Sequence, residues 1–202
     1  EQLQQGIDAL DEAAARSVLF QLAQHNVPIA NFIYDHYAKV CHEEAARNMD
    51  FDHHSKDVWH QLNTRYSSMS GSKQYEQAGE VFRDIISTLE TIVSSVAPHS
   101  SFSTKRSALA TVRKIGKGIL LSHGCIPHEV LKDFQYESSF EDSVAKIISY
   151  MTEAERVKMS EADDGEFPAK LRELVALSEG HEIFVGLAKS LAILMGESDG
   201  QV

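Results

Sequence analysis

SKQYEQAGEVFRDIISTLETIVSSVA, residues 72–97, is the stretch on which the fold reading turns. At helical spacing Tyr75, Ala78, Phe82, Ile85, Ile86, Leu89, Ile92, Val93 and Val96 gather on one side. Lys73, Glu76, Glu80, Arg83, Asp84, Thr88 and Glu90 fall mostly elsewhere. An apolar face this broad needs cover from several neighbours. At ~1.5 Å per residue the helix reaches about 40 Å, long enough to act as a spine for shorter helices. Ser72 is the expected N-cap, and Pro98 ends the helix because its ring disfavours the α conformation at Ala97.

Upstream of the spine the pattern predicts three helices. Residues 1–6 read as a polar, frayed lead-in. Asp8 or Asp11 caps a helix that ends near His25, with Ala15, Val18, Leu19 and Leu22 facing inward. Pro28 suits the first turn of the next helix, whose stripe is Ile29, Phe32, Ile33, Tyr37, Val40 and Cys41. The short Asn26-Val27 connection predicts that these two pack as antiparallel neighbours. Residues 48–54 read as a loop, followed by a helix over 55–68 that carries Val58, Trp59, Leu62 and Tyr66.

Downstream, Ser103 or Thr104 begins a helix with Ala108, Leu109, Val112, Ile115, Gly116, Ile119 and Leu120 on its apolar side. Gly116 and Gly118 weaken a helix, so their presence predicts a close helix–helix approach there. Past Gly124 the elements shorten. Pro127 opens one helix and Ser139 caps the next, while Thr152-Glu153-Ala154-Glu155 spells a capping box. Asp163, Asp164 and Gly165 read as a loop, Pro168 opens a helix that Gly180 ends, and a last helix carries Ile183, Phe184, Leu187, Leu191 and Leu194. The expectation is an all-α bundle of about eight to ten helices, one domain over 1–202. A subdomain seam near 124 would divide the main bundle, 1–124, from the C-terminal helices, 125–202.

Composition narrows the function classes. The chain has 202 residues, 43% of them hydrophobic, and a net charge of −11, which disfavours non-specific nucleic-acid binding. Cys41 and Cys125 are too few for a disulfide framework or a structural zinc site and fit reduced thiols. No apolar run approaches the ~18 residues needed to cross a bilayer, and no signal peptide is recognisable. The expected location is nuclear or cytoplasmic rather than secreted. Because the chain opens on Glu1 and not methionine, it reads as part of a longer protein.

The motifs for chemistry are sparse. Asp50-Phe51-Asp52-His53-His54 raises a helical metal-dependent hydrolase as the alternative reading, since His and Asp ligate divalent ions. The Asp-His order and the lack of a His-x-x-x-His or Glu-x-x-His face favour a solvated capping loop instead. Cys125 beside His123 and His128 reads as a surface turn, because sequence neighbours seldom form nucleophile dyads. Gly116-Lys117-Gly118 lies inside a helical pattern and lacks a preceding strand, so it is no phosphate loop. No catalytic residue, metal or cofactor is expected.

Charge offers one further lead. Lys105, Arg106, Arg113, Lys114 and Lys117 form a basic helix with no acid among residues 105–117, whereas residues 137–166 hold nine acids against three bases. The five bases either pair internally with that acidic half or form a docking stripe for an acidic partner or an anionic membrane surface. Trp59 on an apolar helical face reads as core or as a hot spot.

The stretch ALDEAAARSVLFQLAQHNVPIA, residues 9–30, and the run YEQAGEVFRDIISTLETIVSSVAPHSSF, residues 75–102, supply a resemblance. Over about residues 10–121 the order of segments resembles the fungal family of nuclear proteasome tethering factors. That resemblance implies an all-helical, dimer-forming bundle that anchors proteasomes in the nucleus and carries no catalysis. The resulting expectation is a non-enzymatic adaptor or tether with a protein partner, the proteasome in the family's case. An oligomeric or membrane-associating helical module is the other non-enzymatic reading.

Overall fold

The stripe on the central stretch is covered by its neighbours from Ala78 onward. In a computed structural model that describes residues 2–161 and 165–197, residues Gly71–Ser94 form a helix whose Ala78, Val81, Ile85, Leu89 and Ile92 are buried. Val81, absent from the predicted face, belongs to it. Tyr75, assigned to that face, is 62% exposed, one turn before the cover begins. The N-cap position is Ser70 rather than Ser72, its side chain makes no capping bond, and the helix stops three residues short of Ala97.

The described residues hold eleven helices and no strand, so the chain is all-α. In chain order they are α1 (Gln2–Asp8), α2 (Glu12–His25), α3 (Val27–Ala46), α4 (Asp52–Asn63), α5 (Gly71–Ser94) and α6 (Phe102–Leu121). There follow α7 (Cys125–Asp133), α8 (Ser139–Ser149), α9 (Glu153–Glu161), α10 (Glu166–Glu179) and α11 (Leu187–Leu194). None of them is long and apolar enough to cross a membrane. The chain divides into two units, residues 1–44 and 45–202. Residues 122–127, where a seam was expected, lie inside the second unit, because α7 packs on α5 while α8 and α10 pack on α6.

In the second unit α5 packs against α4, α6, α7 and α8, and α6 packs in turn against α4, α7, α8 and α10. Ser101 caps α6 by accepting from the Thr104 N–H at 3.1 Å. Thr104 and Ser107 then strap the segment before α4 to α6. The Met49 N–H donates to Thr104 Oγ1 at 3.0 Å, and the Phe51 N–H donates to Ser107 Oγ at 3.1 Å. All seven apolar positions predicted for this helix are buried. Gly116 is the close approach foreseen from the sequence. A methyl group placed on it would meet Phe140 Cζ at 2.4 Å and Leu174 Cδ2 at 3.2 Å. Gly118 is not one, since nothing lies within 4 Å of the corresponding point.

An aromatic chain ties the later helices to α5. Phe82 meets Phe134 edge-on with centroids 5.0 Å apart, Phe134 meets Phe184 edge-on at 5.5 Å, and Phe140 stacks on Phe184 at 3.9 Å. Such pairs contribute about 0.5–1.5 kcal/mol beyond area burial. Phe184 was expected inside the last helix, but it sits in the turn before α11 with φ at 56°. A bulky residue in the left-handed region costs on the order of 1–2 kcal/mol, which burial of the ring to 2% exposure offsets. Of the predicted loop at 163–165, Asp163 and Asp164 lie outside the described residues, and Gly165 takes the left-handed conformation that caps α10.

One carboxyl is folded at a cost. Glu141 in α8 has an Oε2 with no hydrogen-bond partner. Burial, with Asp142 and Glu137 adding to it, pushes its pKa up against the opposing N–H groups of Glu141 itself and Gly186. A raised folded-state pKa means the protonated form is favoured, so the contribution to stability is lost as pH rises through that pKa. Glu141→Gln is therefore expected to raise the Tm at pH 7, with the difference from the parent vanishing near about pH 4, where an unfolded glutamate protonates. Thermal unfolding followed by circular dichroism at the two pH values checks this.

Candidate functional site

The capping box gives the first constraint on the basic helix. Thr152 Oγ1 accepts from the Glu155 N–H at 3.2 Å, and Glu155 Oε2 accepts from the Thr152 N–H at 2.8 Å. The same carboxylate takes the Lys105 ammonium at 3.0 Å, and that ammonium also donates to the Pro98 carbonyl at 2.7 Å. Burial raises the Glu155 pKa, but the Thr152 N–H and the Lys105 charge outweigh it and hold the carboxyl below its usual value. Lys105, at 1% exposure, therefore joins α6 to the start of α9 and cannot be offered to a partner.

Arg113 is also buried. Burial pushes its pKa down while Glu173 and Glu166 pull it up. Arg106 is only partly exposed and has an interaction of its own. Lys117 donates to Glu173 at 2.8 Å, and Lys114 pairs with Asp52. The five-residue stripe is thus largely internally neutralised, Lys105 by the acidic half itself. Only Lys114 and Lys117 keep a substantial exposed side chain while lining open space.

The Asp/His segment resolves into helix capping and ion pairing. Asp50 Oδ1 accepts from the Asp52 N–H at 3.0 Å and from Ser107 Oγ at 3.1 Å. Lys114 first, then Lys56, holds the Asp52 pKa down to about 2. His53 and His54 lie ring against ring with centroids 4.0 Å apart, and burial lowers the His54 pKa. Among the described residues no group of three or more His, Cys, Asp or Glu is arranged to hold an ion. The Cys125 thiol donates to the Gly71 carbonyl at 3.6 Å, and His123 and His128 are exposed.

The surface that sequence reasoning missed lies in residues 1–44. Asp11 caps α2 as expected, accepting from the Ala14 N–H at 2.7 Å, and Asn26 accepts from the Ile29 N–H at 3.3 Å to start α3. The lead-in is helical as α1. Yet α2 and α3 do not pack along their lengths, and none of the three helices buries a residue. Val18, Leu19 and Leu22, assigned to an inner face, are exposed, and so are Phe20, Phe32, Tyr34 and Tyr37. Near the turn a hollow of about 470 Å³ opens between α2 and α3, walled by Leu19, Phe20, Ala23, Ala30, Ile33 and Tyr34.

Periodicity reports which residues share a face, not what covers that face, so the exposure of these helices carried no signal in the sequence. No family model matches the chain, and neither a curated protein nor a solved structure is significantly similar to it.

Proposed function

We propose that the protein is a non-enzymatic helical adaptor or tether of the nucleus or cytoplasm. In this reading residues 1–44 pair with a second copy of the chain, and residues 45–202 present a rigid surface to another protein. The carrying observation is the uncovered apolar surface of α2 and α3, with Phe32 72% and Phe20 64% exposed. Monomeric proteins rarely leave contiguous apolar patches larger than a few hundred Å² in water, and patches of that kind mark association surfaces. Two-fold pairing is the commonest way for a chain to cover such a surface. The resemblance to nuclear proteasome tethering factors supports the same reading and adds the proteasome as the cargo.

Light scattering is expected to return twice the 22.5 kDa chain mass. The pair of changes Phe20→Glu and Ile33→Glu, at positions that wall the hollow, is expected to return the single-chain mass. A monomer from the parent protein would remove the pairing. A pull-down from nuclear extract that never enriches proteasome subunits would remove the proteasome as cargo.

A further inference from the structure

A groove runs along the surface where α4 and α6 lie side by side. The two helices point the same way: Phe51 bonds to Ser107 at one end, and Asn63 Nδ2 donates to Ser122 Oγ at 2.9 Å at the other. Val58 and Leu62 turn inward and are buried. Trp59, the only tryptophan, turns outward and stays 53% exposed. It divides the groove into two hollows. The first, about 340 Å³, is bounded by Asp52, Lys56, Trp59, Lys114 and Gly118. The second, about 270 Å³, is bounded by Trp59, Asn63, Lys114, Lys117, Gly118 and Leu121. Gly118 leaves the floor bare, since apart from its own stretch of helix backbone nothing lies within 4 Å of where its side chain would begin.

Lysines outnumber carboxylates on these walls, and each lysine is already paired, Lys56 and Lys114 with Asp52 and Lys117 with Glu173. In a chain of net charge −11, the second hollow has two lysines and no carboxylate on its lining. The first has two lysines and one carboxylate, Asp52, which both lysines already engage. Lys117 is held by Glu173, whose side chain is half exposed, and ion pairs of that kind are weak enough to exchange for another anion. A half-exposed indole beside an open floor is a favourable seat for an apolar side chain, and tryptophan is over-represented among residues that dominate binding energy.

We infer that this groove docks an acidic peptide segment of a protein partner, with an apolar side chain against Trp59 over Gly118 and a neighbouring carboxylate on Lys114 and Lys117. The span from Ser55 to Asn63 is about 12 Å along the helix axis, room for three or four extended residues. That length suits a short peptide. It is too short, with too few lysines, for a nucleic-acid backbone or a lipid surface. The groove is the docking half of the adaptor proposed above, and its occupancy is measured separately from pairing.

The lone tryptophan is the probe. Titration with the blocked peptide EELDELEE is expected to give a saturable change in Trp59 emission, weakening several-fold as salt rises from about 50 to about 300 mM. The amide counterpart QQLNQLQQ is expected to give none. Lys114→Glu with Lys117→Glu should weaken binding at least tenfold. Gly118→Leu, which adds an apolar side chain to the floor of the groove at a point where its first carbon meets nothing, should do the same while the melting temperature holds. Equal binding of the amide peptide, unchanged binding in both variants, or full displacement by inorganic phosphate would overturn the inference. So would a Gly118→Leu protein that loses the two-chain mass, because the groove's occupant would then be a second copy. A monomeric parent protein that still takes up the peptide would remove the pairing and leave the groove assignment standing.

Discussion

Glu155→Ala is expected to destabilise the second unit by about 3 kcal/mol, because it strands a buried charge. Lys105 is 1% exposed, and after the change its ammonium keeps, among the described residues, only the Pro98 carbonyl. Removing one partner of a buried ion pair costs about 3–5 kcal/mol, and losing a helix cap adds about 1 kcal/mol. The remaining exposure of Glu155, 20% of its side chain, reduces the total toward the lower figure. Glu155→Gln should fall in between, since the amide oxygen can still accept from Thr152 while the lysine charge goes unanswered. Lys105→Met combined with Glu155→Leu should recover most of the loss, because an apolar pair of similar volume replaces a buried ion pair at little cost.

The acid dependence follows from the direction of the Glu155 shift. Its folded-state pKa is lowered, so the stabilisation is fully present above the unfolded value, about 4.3, and is lost as pH falls through the folded value. Urea unfolding of parent and Glu155→Ala proteins should therefore show a gap at pH 7 that closes in stronger acid. A gap that persists unchanged at low pH would mean that Lys105 and Glu155 do not act as an ion pair.

Gly116→Ala and Gly118→Ala, two residues apart on α6, should move stability in opposite directions. At Gly116 the added methyl would lie 2.4 Å from Phe140 Cζ, and Phe140 is itself fixed by stacking on Phe184. Forcing a methyl into a filled core costs about 1–3 kcal/mol, which over most of that range exceeds the ~1 kcal/mol gained from alanine's helix propensity. At Gly118 only the gain operates, because there is nothing to meet. With about 3 °C per kcal/mol for a chain of this size, the two melting temperatures should separate by several degrees around the parent value.

The parts of this fold that were legible in the sequence are those decided locally. The α5 stripe, the Asp11 cap and the capping box at Thr152 each depend on residues within a turn or two of one another. The close approach at Gly116 was legible too, because a helix-weakening residue on a buried face has few other uses. Lys105 was not: its charge argued for the surface, and the carboxylate that allows its burial is fifty residues away. Ile183 and Phe184 continued an apolar pattern that reads as helix, yet the aromatic chain to Phe134 and Phe140 holds Phe184 in a backbone conformation that no local preference would select. The Trp59 groove could not be read at all, since it is made by the spacing between two helices whose sequences are separated by the whole of α5.

The contrast between the two units also sets a rate pattern. Helices that bury nothing are held by their backbone bonds, a few caps and exposed side-chain pairs, and segments of this length in water open and close within microseconds. In dilute protein the amide hydrogens of α2 and α3 should exchange with deuterium orders of magnitude faster than those of α6, which open only when the whole second unit does. As concentration rises, any slowing confined to residues 2–44 reports directly how much of that surface has found cover.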